Sequence, residues 1–503
     1  MSLAVLFSRA QVGIESPQVV VEVHLSGGLP SLSIVGLPET AVKESKERVR
    51  SALLTAGFEF PQRRITINLA PADLPKEGGR YDLAIAIGIL QASGQLKCKS
   101  LDQYEMIAEL SLSGEVRAIR GALPASVACG KAKRSLILPD ACAQEARLIG
   151  DTCVLPATHL LQVFAHLQGK QPIEPYVPLP VNLGVTTAPD MAEVKGQLQA
   201  RRALEVAAAG EHNILFTGPP GSGKSLLASC LPGILPELTM DERLEVAAIH
   251  SIAGHQVDAA CAGIRPFRNP HHTASAVALV GGGSHPRPGE ISLANKGILF
   301  LDELPEFPRR VLDVLREPIE TGSIMISRAT RQVCFPASFQ LVAAMNPCTC
   351  GYAKDGTDRC SCSPDQVRRY QGRVSGPLLD RIDIQLWVSA LSPDTLLNRQ
   401  CPAESSLDVR KRVVAAREKQ LSRQGFSNRH LNGRLLDQHC LLTDDGQGLL
   451  TAAMKNFSLS ARGCHRVLRV ARTLADLAGD EQVQTMHLLE ALAFRGQLQP
   501  IAD

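Results

Sequence analysis

"HNILFTGPPGSGKSLLASCLPG", residues 212–233, decides the fold of this 503-residue chain. An apolar run, Ile214–Thr217, leads straight into G-x-x-x-x-G-K-S, and helix-forming residues follow. Strand, glycine turn and helix N-terminus in that order make a phosphate cradle. The glycines let successive backbone N–H groups face one concavity, and the helix end adds positive potential. Gly218, Pro219, Pro220, Gly221, Ser222, Gly223, Lys224 and Ser225 are therefore expected to bind ATP. Lys224 would reach the β/γ-phosphates and Ser225 would ligate Mg²⁺.

Such a loop needs an acidic partner strand, and "GILFLDELPEF" (297–307) supplies one. Asp302, at the strand end, is expected to hold Mg²⁺, and Glu303 to act as general base on the attacking water. "SFQLVAAMN" (338–346) is a third strand, tipped by Asn346, whose amide could orient that water; a simple asparagine cap is the bland alternative. "SGPLLDRIDIQLWV" (375–388) sets Arg381 between Asp380 and Asp383. From the residues alone, a local ion pair and a contact with a neighbouring subunit's nucleotide are both open.

Residues 1–170 alternate strand-like runs ("VVVEVHL", "SLSIVGL", "RRITINLA") with helical ones ("TAVKESKERVRSALLTAGF", "YDLAIAIGILQASG"), the pattern of a first α/β domain. Residues 171–190 form a proline-rich linker, 191–392 the nucleotide-binding core with insertions, and 393–503 a helical end. Apolar residues make up 45% and charged residues 20% of the chain, enough for sizeable cores. The net charge is +3, yet residues 395–479 alone carry 14 Lys/Arg against 7 Asp/Glu, so any polyanion-binding face is local. Neither a signal peptide nor a membrane span is read, and the scattered cysteines suit a reducing, cytoplasmic setting.

Four of the 14 cysteines crowd into one stretch: Cys348, Cys350, Cys360 and Cys362 form C-x-C-x9-C-x-C directly after Asn346. Structural Zn²⁺ is the leading reading, because metal would staple a loop poor in apolar residues. Plain loop thiols and a redox switch are its rivals. Two insertions flank the acidic strand. "AGIRPFRNPHHTASAVALVGGGSHPRPGE" (262–290) carries Arg265, Arg268, His271 and His272. "SIMISRATRQVCFPA" (323–337) reads as a β-hairpin with Arg328 and Arg331 near its tip. Basic tips of this kind can track the phosphates of a polyanion; a solubilising hairpin is the alternative.

The order of these motifs resembles that of AAA+ ATPases. "RPFRNPHHTASAVALVGGG", "PRPGEISLANKGILFLDELPEF", "MNPCTCG" and "SGPLLDRIDI" together resemble the magnesium-chelatase-like ComM/YifB family over nearly the whole chain. The resemblance implies an α/β AAA+ P-loop parallel sheet with a helical lid, and a homo-hexameric ring with ATP between subunits. It further implies branch migration on single-stranded and branched DNA in recombination and natural transformation, with the basic residues of both insertions expected to touch DNA phosphates. It assigns a second ATP-sensing arginine to "LSARGCHR" (459–466), at Arg462. Residues 1–170 are similar to the C-terminal domain of Lon protease, but Arg80 stands where the serine would be and Leu123 or a neighbour replaces the lysine. A peptidase needs that hydroxyl and amine, so the domain reads as non-proteolytic. A protein-remodelling or chelatase-type ATPase is the competing class.

Overall fold

The structure is a computed structural model that describes residues 2–36, 40–178, 188–283, 286–328, 331–391, 404–456 and 459–495. It divides into two compact units: Met1–Leu183 with Met240–Ala262, and Gly184–Thr239 with Gly263–Asp503.

The first unit is built on a mixed seven-stranded sheet. Its spatial order is Ser31–Val35, Arg64–Ala70, Gln18–Ser26, Ser2–Arg9, Tyr104–Met106, Ser135–Pro139, Val154–Ala157. Gln18–Ser26 alternates inward and outward, burying Val19, Val21, Val23 and Leu25, as a sheet with one covered face requires. The helix Asp82–Ser93 lies over these strands and is buried along nearly its whole length. Its charges are not free. Arg48 donates to Asp82 at 2.8 Å, and Arg9 grips the buried Glu105 through two bonds of 2.6 and 2.7 Å. Arg80 is itself buried and donates to the carbonyls of Arg120 at 2.7 Å and Arg9 at 3.4 Å, so it acts as a clamp between chain segments.

Met240–Ala262 interrupts the expected 191–392 core. The helix Met240–Ala253 buries Val246, Ala247 and Ile249 in the first unit rather than the second. Ser251 accepts from Gly121 N–H at 3.4 Å and donates to the Glu145 carboxylate, which burial pushes above its usual range. Helical periodicity announces an apolar face, but not which core that face will meet.

The second unit holds a five-stranded, wholly parallel sheet in the order Phe267–Arg268, Ile298–Leu301, Gln340–Met345, Ile214–Thr217, Ile384–Trp387. Ile214–Thr217, Ile298–Leu301 and Gln340–Met345 are buried at every residue, as strands covered on both faces must be. Helices Leu198–Gly210 and Lys224–Ile234 flank them. The helical end comprises Ser406–Gln424, Gly433–His439, Asp444–Asn456, Ala461–Ala478 and Thr485–Ala493. Arg417 ties it to the sheet layer by donating to the carbonyls of Ala209 at 2.9 Å and Ala208 at 2.8 Å, at the end of Leu198–Gly210. Ser460 caps Ala461–Ala478 through a bond from Gly463 N–H at 3.1 Å.

Candidate functional site: a nucleotide pocket and two sheet edges

Parallel strands bring their C-terminal ends to one edge, and the three central strands end in Asn346, Asp302–Glu303 and the glycine loop. Gly218 has no room for a side chain: a Cβ there would lie 2.1 Å from the Val388 carbonyl oxygen. The loop is thus held against the next strand, and Gly218 N–H donates to the Met345 carbonyl at 3.3 Å. Lys224 Nζ donates to the carbonyls of Gly218 and Pro219, both at 2.8 Å, and to Asn346 Oδ1 at 3.2 Å. Burial lowers its pKa and Asp302 opposes that shift, so the ammonium is poorly hydrated and strongly attractive to an anion.

Ser225 Oγ donates to Asp302 Oδ2 at 2.7 Å. A hydroxyl and a carboxylate this close form the hard-oxygen donor pair that suits Mg²⁺ beside a phosphate. Glu303 adopts a left-handed backbone, φ 52°, rare for a residue with a side chain and characteristic of strained functional positions. Its amide donates to Asp302 Oδ1 at 2.9 Å. His272 Nδ1 stands 3.1 Å from Glu303 Oε2, and its ring lies 4.1 Å from that of His271.

The opposite edge of the same sheet gathers arginines. Asn213 and Asp383 precede their strands, and with Arg462, Arg466, Arg429 and Glu320 they line a cavity of about 300 Å³. Arg381, also ahead of its strand, binds Glu320 at 2.9 Å and the Pro377 carbonyl at 2.7 Å. The intrachain partner is therefore Glu320, not the flanking Asp380 or Asp383. Asp383 is taken by Arg466 at 3.0 Å and by Asn213 N–H at 2.9 Å. Burial works against its charge, but His212 and Arg466 outweigh it and hold its pKa low. The four-residue strands between the edges span about 13 Å. Arg381 and Arg462 are thus grouped together, away from Lys224 and Asn346 of their own chain.

The chain's relatives match its sequence nearly from end to end. It is 49% identical to the protein named "Competence protein ComM" of Haemophilus influenzae, over 99% of this chain and 98% of the relative. It is 48% identical to a protein named YifB of Salmonella typhimurium, over 98% and 97%. The chain belongs to the ComM/YifB family. Family models described as magnesium chelatase subunit ChlI match residues 190–396, subunit ChlI of Mg-chelatase residues 21–142, and the subunit ChlI C-terminal region residues 403–495. The magnesium-chelatase 38 kDa subunit of Cereibacter sphaeroides is more distant: 23% identical, over 59% of this chain and 87% of its own length. Membership in this magnesium-chelatase-like AAA+ family makes the chain an ATPase that uses ATP with Mg²⁺, and Ser225 with Asp302 fits that ion.

Several expected DNA contacts are engaged elsewhere. Arg265 donates to the carbonyls of Pro236 at 2.7 Å, Lys296 at 2.6 Å and Glu237 at 3.3 Å, which makes it a loop clamp. Arg268 is neutralised by Glu290 through two bonds of 2.6 and 2.8 Å. His271 meets Thr273 Oγ1 at 2.9 Å, and His272 faces Glu303. Counting charges in a glycine-rich loop cannot reveal these carbonyl and carboxylate partners, which lie 22 to 31 residues away. The His272 placement had a readable signal. "NPHH" follows the strand Phe267–Arg268, so it must emerge at the edge where Asp302 and Glu303 emerge. The second insertion does form a hairpin, Ser323–Arg328 paired with Arg331–Pro336; the side chains of Arg328 and Arg331 lie outside the described residues.

In the helix Ala461–Ala478, Arg462 is exposed while the arginines after it are anchored. Arg466 holds Asp383, and Arg469 donates to the Leu431 carbonyl at 2.6 Å. The four cysteine sulfurs of the Cys348–Cys362 loop come together, all within 4.8 Å of one another. Among the described residues, no helix is long and apolar enough to cross a membrane.

Proposed function

We propose that the chain is an ATP-driven DNA motor: a hexameric ring that moves on single-stranded and branched DNA and migrates junctions during recombination and natural transformation. The observation that carries this reading is the separation of Arg381 and Arg462 from their own phosphate loop. Arginines gathered on the far edge of the sheet suit a neighbour's nucleotide better than their own, with Arg381 exchanging Glu320 for that nucleotide when subunits meet. That arrangement calls for a closed ring of subunits.

In this reading Lys224 binds the β/γ-phosphates, while Ser225 and Asp302 hold Mg²⁺, which neutralises phosphate charge when bound. Glu303 takes a proton from the water that attacks the γ-phosphorus, and Asn346 orients that water. The bond from the γ-phosphorus to the bridging oxygen breaks, and ADP carries the leaving charge. Arg381 of the adjoining subunit stabilises charge on the transferring group, an effect worth about 10³–10⁵ in rate elsewhere. Arg462, from the same edge, senses the same nucleotide.

The hairpin tip at Arg328 and Arg331 is the remaining candidate for strand contact in the pore. The name of the Haemophilus relative, a competence protein, supports DNA as the track. All cysteines in the described residues are free thiols, in keeping with a cytoplasmic site of action.

A chelatase-type or protein-remodelling ATPase is the competing reading, supported by the family descriptions. ATP turnover measured with forked DNA, with duplex DNA and without DNA separates the two. Strong stimulation by forked DNA together with strand displacement is expected. Turnover indifferent to every DNA would overturn the motor. Particle images with bound nucleotide, with and without forked DNA, would count the subunits directly.

A further inference from the structure

Cys348 and Cys350 follow the strand that ends at Asn346, and Cys360 and Cys362 return just before the helix Pro364–Gln371. Their sulfurs approach at 3.3 Å (Cys348–Cys350), 3.6 Å (Cys350–Cys360) and 3.9 Å (Cys348–Cys360). Four thiolates about 2.3 Å from one tetrahedral Zn²⁺ stand about 3.8 Å apart. The observed spacings bracket that value, and they are far longer than a disulfide of about 2.05 Å. Ala353 N–H donates to Cys348 Sγ at 3.3 Å, and Thr349 Oγ1 lies 3.2 Å from Cys362 Sγ. Bonds of this kind orient thiolates and spread their charge.

The loop has little else to hold it. Besides the cysteines, its small core contains only Ala353 and Val367. Two such side chains cannot offset the entropy of ordering fifteen residues, at about 1–2 kcal/mol of backbone cost each. A closed set of four thiolates supplies the missing cross-link.

The loop also bears on the nucleotide pocket. Gly351 has φ 88°, and a Cβ there would lie 2.7 Å from Pro220 Cδ. Pro220 belongs to the phosphate loop, so backbone at the cysteine turn is pressed against it. At the loop's root, Asn346 Oδ1 accepts from Lys224, and Gln371 Nε2 donates to the Pro347 carbonyl at 2.9 Å.

We propose that Cys348, Cys350, Cys360 and Cys362 bind one Zn²⁺ as a structural site, and that the metal-closed loop braces the phosphate loop through Gly351 and Pro220. Metal occupancy then sets nucleotide affinity. The second half rests on the ATPase reading; the first does not.

The full chain, purified without chelator or added metal, is expected to contain about one Zn²⁺ per chain by elemental analysis. The double variant Cys360→Ser, Cys362→Ser should lose the metal, keep its far-ultraviolet circular dichroism, and bind a fluorescent ATP analogue about tenfold more weakly. Gly351→Ala should keep the metal and still bind the analogue more weakly, because its Cβ meets Pro220 and strains the left-handed turn that presses on the phosphate loop. Absence of zinc from the wild-type protein, iron in its place, or a disulfide among the four cysteines by peptide mapping would overturn the metal site. Loss of zinc with unchanged ATP affinity would overturn the brace. Zinc in a wild-type protein that binds no ATP would overturn the ATPase reading, and the brace with it, while the metal site stood.

Discussion

His272 Nδ1 lies 3.1 Å from Glu303 Oε2, so a histidine from the first insertion touches the carboxylate assigned as general base. Phe307 flanks the same ring edge-on at 6.5 Å, and His271 lies beside it at 4.1 Å. The ring is therefore positioned to orient Glu303 rather than to track phosphates. His272→Ala is expected to leave ATP affinity and DNA affinity intact and to lower kcat about tenfold, a fraction of the 10²–10⁴ that general bases contribute. Steady-state kinetics beside a DNA-binding titration checks this. Normal kcat with lost DNA binding would return His272 to the DNA contacts.

Lys224 and Glu303 should separate binding from hydrolysis. Lys224→Ala removes the ammonium proposed to bind the phosphates and should abolish tight ATP binding. Glu303→Gln keeps Asp302 and Ser225 but lacks a base, so ATP should bind and turnover should fall by at least about 10². Equal turnover in Glu303→Gln and wild type would sink the assignment.

Arg381 tests the ring. Arg381→Ala should bind ATP nearly normally and hydrolyse it about 10³-fold or more slowly. Its Glu320 contact is partly exposed, so the stability loss should stay near or below about 1 kcal/mol. Mixing is decisive. Arg381→Ala and Lys224→Ala subunits are each inactive, but one ring can pair an intact Lys224 with a neighbour's intact Arg381. Mixed rings that regain no activity would count against action in trans.

The two groups of insertion arginines should behave differently. Arg328→Ala with Arg331→Ala should weaken DNA binding and flatten its salt dependence, with the melting temperature unchanged. Arg268→Ala breaks the paired bonds to Glu290 and should cost about 1 kcal/mol of stability while DNA affinity holds. Weaker DNA binding in Arg268→Ala, with the melting temperature unchanged, would show that Glu290 does not consume that charge.

Stability should fall with mild acid. His212 is buried between Thr473, at 2.8 Å, and Asp383; burial, aided by Arg469 and Arg429 and opposed by Asp383, pushes its pKa down to about 4. The unfolded chain binds that proton near pH 6.5 and the folded chain does not. Its contribution is therefore complete above about pH 6.5 and is lost as pH falls towards 4, on the order of 2–3 kcal/mol. Burial lowers His166 and His430 in the same direction. Urea midpoints across this window should slope downward with acid, and His212→Gln should reduce the slope. An unchanged slope would remove His212 from the account.

The sequence by itself determined the nucleotide edge. Gly218–Ser225, Asp302 with Glu303, and Asn346 each follow a short apolar run, and parallel strands must deliver their C-terminal residues to one edge. Strand direction and local chemistry are written in consecutive residues, so the delivery of Lys224, Ser225, Asp302 and Asn346 to one edge was legible; that Lys224 meets Asn346 at 3.2 Å and Ser225 meets Asp302 at 2.7 Å came from the structure. The cysteine spacing was equally local, and the four sulfurs converge. Only the tertiary structure decided what each long side chain touches. Arg265 and Arg268 carry the charge expected of DNA contacts, but backbone carbonyls hold the Arg265 donors and Glu290 pairs with Arg268. Arg381 chose Glu320, sixty-one residues upstream, over the aspartates beside it. The helix Met240–Ala253 left the segment around it for the core of the first unit. A guanidinium rides on a long flexible stem and an apolar helix face suits any core of matching shape. Their partners are therefore fixed by which segments folding brings near, and that is a property of the assembled chain.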